Sequence, residues 1–438
     1  MKAALALAVS VLALPQPQAA RPAAAQPPAR RAAVPASRPS TAGETIAITN
    51  ARVLPVSGPA IERGTVLIQS GRIAAVGADV AVPAGARVID ATGKILTPGW
   101  LDAGVQTGIV EIPSSAEGTD DEATTDTRVS AAFTVVDSFN GSSTVIPVTR
   151  IEGITRQLVT PSSTGNVFVG QAAVMDLSGD QVPDAVTKAP AAMIALMGEG
   201  GAAVAGGARA TAILRMREML EDARDYAANR AAFNSSQRRE YVRSRLDLEA
   251  LQPVLKGQEP LVVQAQRASD LLAAIRLAHE FNVRLVLMGA AEAWMVADQL
   301  SAAHVPVVID ALTDIPGFDS LGATLENAAR LSKAGVSLAL ASFDTQNSRT
   351  LRQQAGNAIA YGLSRDAALE AVTLAPARFW GVADRVGSLE VGKDADVVVW
   401  SGDPFELTTG PEHVFIKGRE MSPDTRQTEL LKRYRTIK

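Results

Sequence analysis

The sequence contains no cysteine and few aromatic residues. The first absence excludes disulfides, thiolate nucleophiles, zinc–cysteine sites and iron–sulfur clusters. Aromatic residues make up 4% of the chain and the net charge is −4, so we expect neither a base-stacking platform nor a basic surface for nucleic acid. The 438 residues are 47% hydrophobic, which is enough to bury large cores in more than one folded part.

The N-terminus has the pattern of a secretory signal. Lys2 precedes an apolar run from Ala3 to Leu14, which is too short to span a bilayer, and small residues follow at Ala23 to Ala25. We therefore expect residues 1–25 to be a signal peptide, with export to a periplasm and no membrane span after cleavage. An uncleaved N-terminal anchor is the alternative. Residues 26–43, rich in Ala and Pro, predict a disordered linker.

Short strands are predicted near both ends of the chain. Alternating apolar runs between Thr45 and Asp90 are separated by Gly- and Pro-containing turns, and similar runs follow at 397–400 and 413–417. Between these regions, strands alternate with helices, as in a (β/α) barrel. The predicted barrel strands are 153–160, 193–197, 261–266, 284–288, 305–310 and 336–341. The predicted helices are 209–229, 235–254, 267–280, 290–303, 321–333, 350–361 and 365–373.

Two segments resemble a known family. Thr97 to Ala103 (TPGWLDA) and Gly387 to Val399 (GSLEVGKDADVVV) are similar to the amidohydrolase superfamily, especially its imidazolonepropionase-like branch. The resemblance implies an α/β fold, a (β/α)8 TIM-like barrel over residues 97–384. A small composite β-sandwich would come from residues 44–96 and 385–425. It also implies a relationship to hydrolases of non-peptide carbon–nitrogen bonds, such as cyclic amides.

The same resemblance implies a metal at the mouth of the barrel, and it locates the positions of the metal ligands. The family's His-x-His pair falls on Gly104 and Gln106, and its next two histidines fall on Gln264 and on or near Gly289. The position of the metal-bridging lysine is Ile194. An amide oxygen is a weak neutral ligand and glycine has no side chain, so we expect no metal and no other cofactor.

The remaining candidates for chemistry are few. An ungapped match puts the family's proton-shuttling aspartate on Phe343, one residue before Asp344. The three histidines of the chain, His279, His304 and His413, do not follow predicted barrel strands, and we interpret them as packing or surface residues.

We therefore predict a pseudoenzyme whose five lost-ligand positions form a pocket for a small-molecule ligand. It would act as a binding or partner subunit, either as a homo-oligomer or assembled with an active relative. The alternative is an exported amidohydrolase with a metal-free acid/base site, in which Asp344 or Glu111 is the general base.

Three loops could contribute to the mouth, and two of them have an alternative interpretation. Residues 117–122 with Asp126 predict a solvated loop over the barrel mouth, with a divalent-cation loop as the alternative. Residues 198–201 predict a flexible loop after a strand, with a phosphate-binding turn as the alternative. The loop 161–166 resembles a family loop at the mouth, so we expect it to touch a bound ligand.

Overall fold

The computed structural model describes residues 43–112, 120–124, 126–162 and 165–435. The predicted signal peptide and all but the last residue of the predicted linker lie outside these ranges. The strands are β1 (Ile46–Val53), β2 (Ile61–Gln69), β3 (Arg72–Gly77), β4 (Arg87–Asp90), β5 (Ile95–Pro98), β6 (Trp100–Val105), β7 (Ile154–Val159), β8 (Phe168–Asp176), β9 (Val186–Leu196), β10 (Leu261–Ala265), β11 (Leu285–Gly289), β12 (Val307–Ile309), β13 (Leu338–Leu340), β14 (Val397–Trp400), β15 (Pro411–Ile416) and β16 (Arg419–Glu420).

The helices lie mainly between the strands of the second half. They are α1 (Val145–Arg150), α2 (Gly198–Val204), α3 (Arg209–Asn234), α4 (Arg245–Ala250), α5 (Gln252–Leu255), α6 (Ala268–Phe281), α7 (Ala297–Ala302), α8 (Asn327–Lys333), α9 (Leu351–Ala360), α10 (Arg365–Ala371), α11 (Leu374–Phe379) and α12 (Arg426–Tyr434). Short 3-10 helices span Val135–Ser138, Ala293–Val296 and Ser348–Thr350. Within the described ranges, no helix is both long and apolar enough to cross a membrane.

Strands from the two ends of the chain pair in one sheet. Its order is β16-β15-β14-β5-β1-β2-β3, with β4 paired to β1. The junction is the antiparallel pair of β5 and β14, in which Leu96 is opposite Val399. The sheet therefore joins the predicted N- and C-terminal β-regions, while a sandwich of two facing sheets and the predicted domain limits stay predictions.

The other sheet forms a TIM-barrel-like α/β fold with strand order β13-β12-β11-β10-β9-β8-β7-β6. Its first and last strands approach each other at one point. The backbone N–H of Ser342, after β13, donates to the Asp102 carboxylate in β6 at 3.2 Å. The strands from β9 to β13 are parallel neighbours, so their carboxyl ends meet at one end of the barrel.

One barrel strand runs against the others, which corrects the predicted eightfold repeat. β8 pairs antiparallel with both β7 and β9, and only residues 160–167 and 177–185 connect it to them. A parallel crossover needs about a dozen residues or more, so connections of this length favour antiparallel pairing. β8 is missing from the predicted strands, and no crossover helix lies on either side of it.

The predicted helix 235–254 is wrong over its first half. Ser236 has a positive φ of 57°, which ends α3, and α4 begins only at Arg245. There the Ser244 hydroxyl accepts a hydrogen bond from the Asp247 N–H at 3.2 Å, as expected of an N-cap serine. Pro253 then occupies the first turn of the short helix α5, where its missing N–H costs nothing.

Three more predicted elements differ from the structure. The region 290–303 begins with a 3-10 turn at Ala293, and the helix predicted from 321 begins at Asn327. Residues 198–204 form the short helix α2 rather than a flexible loop, and Glu199 in its first turn pairs with Arg209 at 3.0 Å.

Apolar side chains pack on both faces of the barrel wall. Ile194, Val262 and Met288, from three different strands, belong to a buried cluster that fills the barrel. The alternate residues Val263 and Leu287 belong to a second cluster, which includes the apolar faces of the surrounding helices. This alternation follows from the two-residue period of a strand.

A buried arginine connects the barrel to the end sheet. Arg156 in β7 is 1% exposed. Its Nε donates to Asp396 Oδ2 at 2.7 Å, and its Nη2 donates to Asp394 Oδ2 at 3.1 Å. Arg385 also donates to Asp394, at 2.8 Å. The two aspartates precede β14, so the Gly-Lys-Asp-Ala-Asp segment attaches the end sheet to the barrel wall.

We expect Arg156→Met to lower the free energy of unfolding by about 3–5 kcal/mol, because the buried carboxylate of Asp396 loses the cation that pairs with it. Denaturant unfolding of the full chain measures this change. The matched control is Arg52→Met, which removes an exposed ion pair with Glu62 and should cost at most about 1 kcal/mol. Equal effects of the two variants would contradict a structural role for Arg156.

Candidate functional site

Two adjoining cavities open where the barrel strands end. One has a volume of about 340 Å³ and the other of about 550 Å³. Asp310, Thr313 and Phe343 line both, and we call the pair the mouth cavity. The carboxyl ends of barrel strands are where active sites of TIM-like barrels lie, so this cavity is the candidate site.

Four of the predicted site residues line the mouth cavity. They are Gln106, Gln264, Gly289 and Asp344. Ile194 does not, because it is fully buried in the barrel and its Cα pairs with that of Val262 in the middle of β10. The structure therefore brings together residues from four strand ends and leaves Ile194 in the hydrophobic interior.

Gly104 lies beside two side chains that fill the space in front of it. A Cβ atom built on Gly104 would be 3.1 Å from Met288 Cε and 3.5 Å from Phe343 Cε1. Met288 is 1% exposed, and Gln264 Nε2 donates to its sulfur at 3.6 Å. The inward-facing group of β11 is thus a thioether, which lies between Gly104 and Gln264.

Gly289, next to Met288, has little room for a side chain. Its φ is +86°, and a Cβ there would be 2.6 Å from Gln266 Nε2. The side-chain oxygen of Gln266 accepts the Ala291 N–H at 3.2 Å. Glycine therefore meets both a backbone requirement and a close approach of Gln266.

The Gln106 amide is held by two hydroxyl groups. Its Nε2 donates to Thr160 Oγ1 at 3.2 Å, and its Oε1 accepts from Thr345 Oγ1 at 3.1 Å. These bonds connect the ends of β6 and β7 to the segment after β13. Gln106 is therefore a fixed polar group on the cavity wall.

Asp344 and Glu111, the predicted general bases, both cap backbone. Asp344 is exposed, and its Oδ1 accepts from the N–H groups of Gln346 and Asn347 at 3.1 and 3.0 Å. Glu111 Oε2 accepts the Thr144 N–H at 3.2 Å and does not line the cavity. Asp344 is exposed and lines the cavity, whereas Glu111 is half-buried outside it, and a role for either as general base stays a prediction.

Three other carboxyl groups line the cavity. Asp310 and Asp314 were not predicted as site residues, and Glu122 was predicted only as part of a solvated loop over the barrel mouth. Asp310, directly after β12, accepts from Gln354 Nε2 at 2.6 Å. Asp314 is 4% exposed, and burial raises its pKa to about 7. Burial also raises the pKa of Glu122. Asp310 could have been found, because it closes a predicted barrel strand, where functional residues concentrate.

The fold and sequence can be compared with those of known proteins. The profile of the amidohydrolase family matches residues 267–421. The crystal structure of an amidohydrolase from Thermotoga maritima MSB8 is 30% identical with a TM-score of 0.78, covering 86% of this chain and 99% of that one. The chain belongs to the amidohydrolase family.

Two further relatives are more distant. Amidohydrolase tasK of Hapsidospora irregularis is 24% identical over 394 residues, which cover 82% of this amidohydrolase but only 40% of the relative. The structure of molinate hydrolase is 18% identical with a TM-score of 0.55, covering 88% of this chain and 96% of that one. At this identity the second likeness supports the fold alone.

The mouth of this amidohydrolase does not fit the metal that the family resemblance implies. At the mouth, the positions assigned to the metal ligands present glycine and amide groups, and Met288 adds a thioether beside them. Across the described ranges, no three His, Asp or Glu side chains are grouped so that they could hold a metal ion. A divalent transition metal prefers imidazole and carboxylate ligands at such a site.

The histidines lie elsewhere. His279 and His304 line a separate cavity of about 520 Å³ with Pro260 and Pro306, which precede β10 and β12. This places them at the amino ends of the strands, opposite the mouth. His413 in β15 is bonded through Nδ1 to Glu420 Oε1 at 2.6 Å, as expected of a packing residue.

A buried carboxyl group closes the barrel beside the mouth. Asp102 is fully buried, and it accepts hydrogen bonds from the N–H groups of Gly104 and Ser342, both at 3.2 Å, and from the Ser342 hydroxyl. Burial outweighs these bonds and raises its pKa to about 7. At neutral pH the group is therefore close to its titration midpoint.

The raised pKa of Asp102 predicts how stability depends on pH. Below pH 3.8 this carboxyl is protonated in both states. Between pH 3.8 and 7 the folded chain holds a proton that the unfolded chain has released, so the free energy of unfolding falls as pH rises, by up to about 1.4 kcal/mol per pH unit.

Asp102→Asn should remove this contribution, because an amide does not titrate and can still accept the N–H bonds. The measurement is denaturant unfolding of both proteins at several pH values between 4.5 and 6.5. The variant's curve should fall less steeply with pH than the wild-type curve. Parallel curves would show that Asp102 is ionised across this range.

Proposed function

We propose that this amidohydrolase is an exported, metal-free pseudoenzyme that binds a small molecule in the mouth cavity. The observation that carries the proposal is the packing of Met288 and Phe343 beside Gly104, with the amides of Gln106 and Gln264 at the neighbouring positions. Without an ion to lower the pKa of water, the family's hydrolytic step loses its nucleophile.

The sequence supports the finer parts of this proposal. The segments 97–103 and 387–399 favour the imidazolonepropionase-like branch, and hence descent from hydrolases of non-peptide carbon–nitrogen bonds. The replaced ligand positions favour loss of the metal. Lys2 and the apolar run after it favour export to a periplasm.

A role as a partner subunit is supported by the surface next to the mouth. The loop between β12 and α8 carries Ile315, Phe318 and Leu321, which are 59%, 98% and 71% exposed. Apolar side chains clustered in this way are typical of surfaces that contact another chain. Co-purification from native cells tests this role, and a strictly solitary, monomeric protein would weigh against it.

The metal-free proposal predicts substoichiometric zinc in purified wild-type protein and no turnover of amides, lactams or cyclic ureas that depends on added zinc. A gain-of-function variant sharpens the test. Gln264 and Met288 are paired in register on neighbouring parallel strands, so Gln264→His combined with Met288→His places two imidazoles side by side. Calorimetric titration should show zinc binding at least about tenfold tighter than in wild type.

The single variants Gln264→His and Met288→His are the matched controls, because each supplies only one imidazole and should bind zinc more weakly than the pair. Stoichiometric zinc in the native wild-type protein, or zinc-dependent hydrolysis by it, would refute the proposal.

A metal-free acid/base enzyme is the second candidate, and one observation favours it. Asp314, whose carboxyl pKa burial raises to about 7, lines the cavity together with Asp310. A carboxyl group of this kind can exchange a proton near neutral pH. If the wild-type protein hydrolyses any member of the same panel without metal, Asp314→Asn should abolish turnover, whereas Asp344→Asn should not.

A further inference from the structure

The lining of the mouth cavity is unbalanced in charge. Four carboxyl side chains line it, those of Glu122, Asp310, Asp314 and Asp344. Among its described lining residues there is no Lys, Arg or His. The carboxyl groups at this opening therefore have no positive side chain among the described lining residues to balance them, even though the raised pKa of Asp314, about 7, leaves that one group only partly ionised at neutral pH.

The hydrogen bonds of these carboxyl groups do not neutralise them. None of the four forms an ion pair within the described ranges, and their donors are neutral. Gln354 Nε2 donates to Asp310, and Asn327 Nδ2 donates to Asp314 at 2.7 Å. The Oε2 atom of Glu122 is buried and accepts no hydrogen bond from a described residue. A buried acceptor without a donor is unfavourable, so a donor group on a bound ligand would stabilise the Glu122 carboxylate.

Two arginines beside the rim of the cavity have carboxylate or carbonyl partners. Arg209 pairs with Asp270 at 3.2 Å and also with Asp319, which precedes the lining residue Ser320. Arg267 donates to the carbonyl of Phe318 at 3.2 Å. These bonds hold both guanidinium groups to the rim, and neither lines the cavity. A third arginine, Arg349, is exposed between the lining residues Asn347 and Thr350, and its Nη2 donates to Asn347 Oδ1 at 3.5 Å. It does not line the cavity either.

The carboxyl groups of the cavity suit an organic cation better than a metal ion. In the described part of the chain no three carboxylates converge as a metal would require, whereas an amine or guanidinium compound can donate to carboxylates that are further apart. Phe343 is half-buried and lines both cavities, so its ring can face a cation. Met288 and Leu312 add apolar wall.

We propose that the mouth cavity selects a small organic cation, an amine or guanidinium compound with an apolar part, and rejects carboxylates. This proposal rests on the proposed function, in which the cavity binds a small molecule. Its volumes of about 340 and 550 Å³ lie in the range of small-molecule sites.

Three probes of similar shape test the selectivity. Benzylamine, benzyl alcohol and benzoate have the same ring and differ in charge. Calorimetric titration of the full chain should show that benzylamine binds at least about tenfold more tightly than benzoate, with benzyl alcohol between them. Raising the salt concentration should weaken only the benzylamine affinity markedly, because screening acts on charge pairs.

Two variants locate the site. Asp310→Asn and Glu122→Gln, each removing one charge, should each weaken benzylamine binding about fivefold or more without changing that of benzyl alcohol. Asp366→Asn, which removes an exposed carboxylate of α10 outside the cavity, is the control and should bind like wild type. Thermal unfolding confirms that each variant is folded.

Each outcome decides one question. Equal binding of the three probes, tighter binding of benzoate, no binding of any probe, or benzylamine affinities in both cavity variants that equal the wild-type affinity would overturn the charge selectivity. The metal-free function fails on a different measurement, which is stoichiometric zinc or zinc-dependent turnover. A protein that is metal-free but binds the three probes equally would refute this inference alone.

Discussion

The pairing of Arg156 with Asp394 and Asp396 is the interaction on which the arrangement of the molecule depends. All three side chains are buried, and they come from the barrel wall and from the segment that precedes β14. A buried guanidinium needs carboxylate partners to offset its desolvation. The two ends of the chain are therefore brought to one side of the barrel by a charge requirement as well as by the strand pairing of β5 with β14.

This interaction explains how the family's fold is retained with an altered mouth. The segment 392–396, which carries the resemblance most specifically, contributes its two aspartates to the Arg156 contact. The segment 97–103 contributes the end of strand β5 and the first four residues of β6. Both segments thus stabilise the scaffold at places other than Gly104, Gln264 and Met288. The requirements for folding and for metal binding fall on different residues, so the second set can change while the first remains.

Much of the barrel could be predicted from the sequence, because β10, β11, β12 and β13 are short apolar runs that precede or follow clear helical patterns. β8 could not, since its sequence includes Gly170 and adjacent alanines and lacks the enrichment in β-branched residues that marks a strand. Its direction depends on pairing with β7 and β9, which are set by tertiary contacts. The prediction of a helix from residue 235 was wrong for a similar reason. Ser236 has a positive φ, and the sequence has no glycine at this position to indicate the break.

At the site, the sequence predicted several positions at the barrel mouth, but it did not predict all of the side chains that line the cavity. Gln106 and Gln264 lie at the mouth as expected. Met288 was missed because the resemblance pointed to Gly289, and a shift of one residue along a strand changes the face on which a side chain lies. Asp314 was missed because it belongs to a loop, and only the folded chain shows that this loop reaches the cavity. Glu122 belongs to the loop that was predicted over the mouth, and the structure adds that its side chain lines the cavity.

The charge of the mouth agrees with the proposal that the protein binds no metal. A bound divalent ion is often the largest local charge of its site and sets the electrostatics of the groups around it. This mouth presents amides and a thioether and, among its described lining residues, no imidazole to hold such an ion, whereas Asp310 and other carboxyl groups line it. Burial then raises the pKa of Asp314 and Glu122, which is the cost of negative charge without a cation. A ligand that carries its own positive charge relieves this cost, so the altered mouth is suited to binding such a ligand.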